Sequence, residues 1–108
     1  MTGREAERIA TTDNNNSNVV VIRLKDRVPR LDMRITCNKL FDYIESLPNT
    51  NIIVDFTGFD IATRSFIHQY IIRKEKSEKR IEEINLSPTI EGLFKIVKKQ
   101  IEEPRILQ

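Results

Sequence analysis

Few residues of this chain can do chemistry. Its 108 residues hold one cysteine, one histidine and three glycines. Asp55 ends the apolar run IIVDF, and hydroxyls stand where new apolar-periodic segments begin: Thr63 and Ser65 in ATRSF, Ser87 in NLSPTI. An aspartate at a strand end suits phosphoacceptance, but that chemistry needs more carboxylates nearby to hold magnesium. The segment after the first apolar run, RLKDRV, has no acidic pair. His68, alone of its kind, leaves a metal cluster or a Ser-His-Asp triad without members. No GxSxG elbow surrounds Ser65. Gly3, Gly58 and Gly92 compose neither a GxGxxG nor a Walker loop. The expectation is a non-enzyme, with no catalytic residue, no metal site and no cofactor. The hydroxyls have a simpler use. Thr63 and Ser65 can start a helix, or hold a serine out where another protein modifies it.

An alternation of elements must position them. Val19–Ile22, four β-branched residues in succession, predict a strand buried on both faces. KDRVPRLD follows as a turn or short extended piece, because Pro29 cannot donate to a ladder. Met33, Cys37, Leu40, Ile44 and Leu47 recur at helical spacing and make one apolar stripe, which Pro48 stops. Ile52, Ile53, Val54 and Phe56 form a second strand, ended at Thr57-Gly58, where the glycine permits a positive-φ turn. Phe66, Ile67, Tyr70 and Ile71 make a second helical stripe, with His68 on a polar or boundary face, most simply an exposed helix residue. Ile81, Ile84 and Leu86 suggest a third, shorter strand. Ser87, Pro88 and Glu91 are a capping hydroxyl, a first-position proline and a first-turn acid. Ile90, Leu93, Phe94, Val97 and Ile101 complete a third helix, ended by Pro104. Strand–helix alternation of this kind predicts an α/β fold: a small sheet, at least partly parallel, with helices packed against it.

Composition narrows the partners. Eighteen basic residues against sixteen acidic give +2, a weak field for a nucleic-acid binder. Lys95, Lys98 and Lys99 are most simply the solvated face of the last helix. Cys37, on the first stripe, reads as a small buried hydrophobe, and a lone cysteine forms no intrachain disulfide. No apolar run nears the ~18 residues of a membrane span. MTGREAERIATTDNNN lacks the apolar core of a secretory signal, so the expected location is cytoplasmic and the Asn15 and Asn85 sequons are accidental. Residues 1–17 are expected to be a disordered polar tail, 18–104 the domain and 105–108 a short C-terminal tail.

VDFTGFDIATRSF, read with INLSPTIEGLF, resembles the STAS domain of bacterial anti-anti-sigma factors. It looks closer still to the prokaryotic STAS-like family of unassigned function. Asp55-Phe56-Thr57-Gly58-Phe59 matches that family's strand end, Thr63-Arg64-Ser65-Phe66 its helix-opening motif, and Asn85-Leu86-Ser87-Pro88 its later strand end and helix start. Thr63 stands where the STAS domain of anti-anti-sigma factors has aspartate, and Phe66 where it has glycine, whereas STAS-like relatives often keep Ser-Phe at this point. The resemblance implies a STAS-like fold and a non-catalytic protein–protein module in prokaryotic signalling or transcription regulation, with a kinase-like or anti-sigma-type partner. It implies Ser65 as the phosphoacceptor by position, Thr63 after it, and a docking surface of Thr57, Gly58, Asp60, Arg64, Ser65 and Ser87. Arg64 would meet the phosphate or pair with Asp60, and Asp55 would orient the loop by accepting backbone hydrogen bonds. The alternatives are a small-molecule sensor, which needs a pocket between sheet and helices, and a weakly basic nucleic-acid-associated regulator. The 19–24 strand is a candidate sheet edge for a homodimer.

Overall fold

A computed structural model describes residues 18–102. The two tails and Pro104 lie outside the described residues. Six main elements follow in the expected order: β1 (Val19–Arg23), α1 (Arg34–Ser46), β2 (Asn51–Asp55), α2 (Arg64–Lys76), β3 (Arg80–Ile84) and α3 (Pro88–Glu102). The sheet runs β1-β2-β3, wholly parallel, with Ile22 beside Val54 and Ile52 beside Ile81. Each crossover leads to the next strand. Two successive crossovers of the usual right hand place their helices on the same face.

Burial agrees with that topology. Ile22, Ile52, Val54 and Ile81 are buried on the helix side, while Val19, Val21 and Ile84 on the other face are 40%, 53% and 38% exposed. The expectation that Val19–Ile22 is covered on both faces is therefore wrong. A β-branched run specifies an extended backbone; how many faces are covered depends on where the connections go, and none crosses the second face here.

Tyr70, fully buried, is the hub of the core. The rings of Phe41, Phe56 and Phe94 meet it edge-on at 5.0, 5.9 and 5.4 Å between centroids, and Phe66 stacks at 6.5 Å. Such contacts add to the area term by about 0.5–1.5 kcal/mol a pair. α1 packs on α2 through polar links as well: Arg73 reaches the Asn38 amide oxygen at 2.9 Å and Asp42 at 3.1 Å. The stripe expected for α1 needs adjusting at both ends. Met33 is the N-cap residue and 54% exposed, Leu47 is the C-cap, and Phe41 joins Cys37, Leu40 and Ile44 in the core. A turn of 3-10 helix, Leu24–Asp26, leads into the KDRVPRLD piece, and Leu24, Val28 and Leu31 are buried in the core.

Candidate functional site

The residues singled out from sequence gather at the carboxyl ends of the strands, where the β1–α1 and β2–α2 loops meet. In open parallel sheets this is where crevices form. Asp55 organises the end of β2. Its Oδ1 accepts the Thr57 amide at 2.9 Å, the Thr57 hydroxyl at 2.6 Å and the Asn85 side-chain amide at 3.0 Å. Those donors, the Thr57 hydroxyl first, hold its carboxyl down at about 2. Asn85 adopts the left-handed conformation at φ 59°, which asparagine tolerates, and so reaches back across the sheet end. Asp55 thus has the loop-orienting part expected of it.

Gly58 follows at φ 95°. The position needs glycine for its backbone; a Cβ there would also stand 2.8 Å from Cε of the exposed Lys25 side chain, which would have to move aside. The Lys25 side chain passing over it ends with Nζ 4.5 Å from the centre of the Phe59 ring. Thr63 ties the two loops together. Its amide donates to Leu31 O at 2.8 Å and its hydroxyl to Asp32 O at 3.1 Å. The same hydroxyl accepts the Phe66 amide at 3.1 Å and caps α2. Ser87 does likewise for α3: its hydroxyl accepts the Ile90 amide at 3.1 Å and donates to Asp60 O at 2.8 Å. The Asp60 loop is thereby fastened to the start of the last helix.

Ser65 differs from both. It sits exposed in the first turn of α2, and its hydroxyl has no hydrogen-bond partner among the described residues. Capping belongs to Thr63 alone. Arg64 neither pairs with Asp60 nor stands free; its Nη1 donates to Gln100 Oε1 on α3 at 2.7 Å. Thr57, Gly58, Asp60, Arg64 and Ser65 are exposed and Ser87 is half-buried, so the six expected docking residues share one edge of the molecule.

Sequence reasoning missed part of that edge. A crevice of about 700 Å³ opens between the two loops, floored by Leu31, Phe59 and Ala62 and flanked by Lys25, Arg30 and Asp60. Ile61 stands 72% exposed on its rim, and Met33 and Ile35 at the start of α1 are 54% and 56% exposed. An isoleucine between Asp60 and Ala62, off every periodic stripe, was the available signal. A second cleft of about 360 Å³ lies between α2, α3 and the end of β3, over Ile71, Leu86 and Phe94.

His68 lies on a boundary face and is less exposed than its simplest reading has it. It is half-buried in α2, and its Nδ1 is enclosed with no hydrogen-bond partner among the described residues. Cys37 is buried as expected, and loss of hydration there pushes its thiol up to about 12. Among the described residues, no three His, Cys, Asp or Glu stand together to hold a metal ion, and no helix is long and apolar enough to cross a membrane. Compared with protein-family models, curated proteins and solved structures, the chain matches none.

Proposed function

We propose that this chain is a non-catalytic protein–protein interaction module of the STAS-like kind, acting in the prokaryotic cytoplasm in signalling or transcription regulation. It docks a kinase-like or anti-sigma-type partner through the carboxyl edge of its sheet. The observation that carries the reading is the crevice that the docking loops build, with Ile61 72% exposed among its lining residues and Met33, next in sequence to the lining residue Asp32, exposed as well. A large aliphatic side chain exposed on a crevice flanked by Lys25, Arg30 and Asp60 suits a contact surface with an apolar centre and a polar rim.

Ser65 supplies the switch. Its unpartnered hydroxyl lies in the first turn of α2, where backbone N–H groups lack helical acceptors and the dipole is positive. A phosphate there adds about −1.5 to −2 charges to the docking surface and touches no core residue. The reading is tested by capturing the native chain with its partner from its own cells, with phosphopeptide analysis of the chain itself. A partner lost on both Ile61→Ser and Ser65→Asp, with Ser65 found modified, is the expected result. A partner indifferent to both substitutions would refute the docking edge and the switch together.

The crevice also favours a second reading, a small-molecule sensor, since about 700 Å³ is within the range of ligand sites. It lies between loops, not between sheet and helices where that reading first required it. A low-molecular-weight ligand co-purifying with the native chain, and lost from Phe59→Ser, would favour the sensor.

A further inference from the structure

The two edges of the sheet are built differently. β3 carries Arg80, Glu82 and Glu83. Glu83 points into the helix-covered face, where Tyr70 donates to one carboxylate oxygen at 2.8 Å and Lys74 to the other at 3.0 Å. Charges on an edge strand, inward-pointing ones above all, keep it from pairing with another chain. β1, the opposite edge, has no such protection before Arg23: Val19–Ile22 are aliphatic and β-branched, with no proline. β1 ladders only with β2, so one side of its backbone is unpaired among the described residues.

Cations follow soon after that edge strand in the chain. Beyond β1 the chain turns through Leu24–Asp26 into Arg27 and Val28. α1 presents Asn38 and Asp42 to α2, where Arg73 binds both, so Thr36, Lys39 and Tyr43 lie on its side away from that contact, against Arg27 and Val28. These residues enclose a hollow of about 390 Å³ whose lining contains no carboxylate. The Arg27 guanidinium lies 3.7 Å from the centre of the Tyr43 ring, and Lys39 is exposed. Neither cation makes an ion pair among the described residues.

We propose that β1 accepts an extended acidic segment of a partner protein as a fourth strand, its carboxylates seated against Arg27 and Lys39. The ladder supplies main-chain hydrogen bonds, the exposed side chain of Val21 supplies a cross-strand apolar contact, and the hollow selects for acid. Charge favours this occupant over a second copy of the chain, which would bring another Arg27 and Lys39 to the seam, whereas an acidic segment brings carboxylates to a hollow lined by two cations and no acid. The surface is separate from the loop edge around Ser65 and does not depend on it.

The test uses the full chain and a blocked fluorescent peptide that alternates threonine and valine between pairs of glutamates, with a twin carrying lysines instead. Anisotropy should show saturable binding of the glutamate peptide only, weakening as salt rises. Nitrogen-resolved NMR should place the amide shifts in Val19–Arg23. Lys39→Glu should weaken binding about tenfold, and Arg27→Glu with Lys39→Glu further, with circular dichroism unchanged. Ile61→Ser and Ser65→Asp should leave it intact, which separates this surface from the docking loop. Equal binding of both peptides, no binding of either, or shifts confined to other elements would overturn the proposal. So would a concentration-dependent dimer in sedimentation through the β1 edge, which would make the occupant a second copy.

Discussion

Tyr70→Phe isolates a polar contact at the centre of an apolar core. The substitution keeps the ring and its four aromatic neighbours and removes only the hydroxyl that donates to Glu83 at 2.8 Å. The Glu83 side chain is only 14% exposed, so water replaces the lost donor poorly, and Lys74 at 3.0 Å, itself 37% exposed, answers the other oxygen alone. A hydrogen bond to a charged group contributes about 1.5–3 kcal/mol, which makes a loss of about 2 kcal/mol the expected result. With a urea slope of about 1–3 kcal/mol per molar, the midpoint should fall by about 1 M. Glu83→Leu should cost as much or more, since it strands the Tyr70 hydroxyl in the core. The double substitution should cost less than the two losses added, because neither partner is then left unsatisfied. Urea titrations followed by circular dichroism supply all four corners of the cycle. A Tyr70→Phe loss below about 0.5 kcal/mol, or strictly additive losses, would refute the coupling. The same burial, with the Glu83 charge beside it, pushes the Tyr70 phenol well above its ordinary value. Its contribution is therefore complete below about pH 10 and lost as the pH rises beyond, and alkaline unfolding should shift when the hydroxyl is removed.

Acid should act through Asp55. Its carboxyl is depressed to about 2, so its stabilisation is present above its unfolded value near 4 and is lost between about pH 4 and pH 2. Asp55→Asn should flatten that limb of a stability–pH curve, and an unchanged limb would contradict the Thr57 and Asn85 contacts. Lys79 donates to Leu47 O at 2.6 Å and Asn49 O at 2.5 Å, at the end of α1. Lys79→Met should cost about 1–2 kcal/mol in urea unfolding, where a merely solvated lysine would cost nothing measurable. Cys37, with its thiol near 12, should resist alkylation by iodoacetamide at pH 8 in the folded chain and label at once in urea. Rapid native labelling would place it outside the core.

The alternation of elements was legible because the apolar spacing changes from strand-like to helical at each boundary, as between Val54 and Phe66. Thr63, Ser87 and Gly58 were legible because capping and positive φ are local demands. What depended on distant partners was not. The exposure of Val19 and Val21 follows from all three helices choosing one side, and the link of Arg64 to Gln100 joins positions in two different helices. The charge of Glu83 inside the helix-covered face makes sense only once Tyr70 is seen above it. Ile61 on the rim of the crevice was visible as a residue without a stripe, yet only the meeting of two loops gives it a surface to belong to.

The order β1-β2-β3 also bears on how the chain is made. Val19 pairs with Asn51 and Asn51 with Arg80, so each ladder closes a loop of about 30 residues, and no strand waits for a partner beyond its neighbour. A sheet wired in this way can assemble from its N-terminal end as the ribosome releases it, each helix docking on the strand pair just formed. Arrested nascent chains ending after β2 should already protect part of the β1–β2 ladder from hydrogen exchange, and chains with no protection until α3 emerges would exclude this vectorial route. On that route β1 emerges before both strands of the sheet that follow it, and its outer edge is unpaired among the described residues when β2 and β3 have joined.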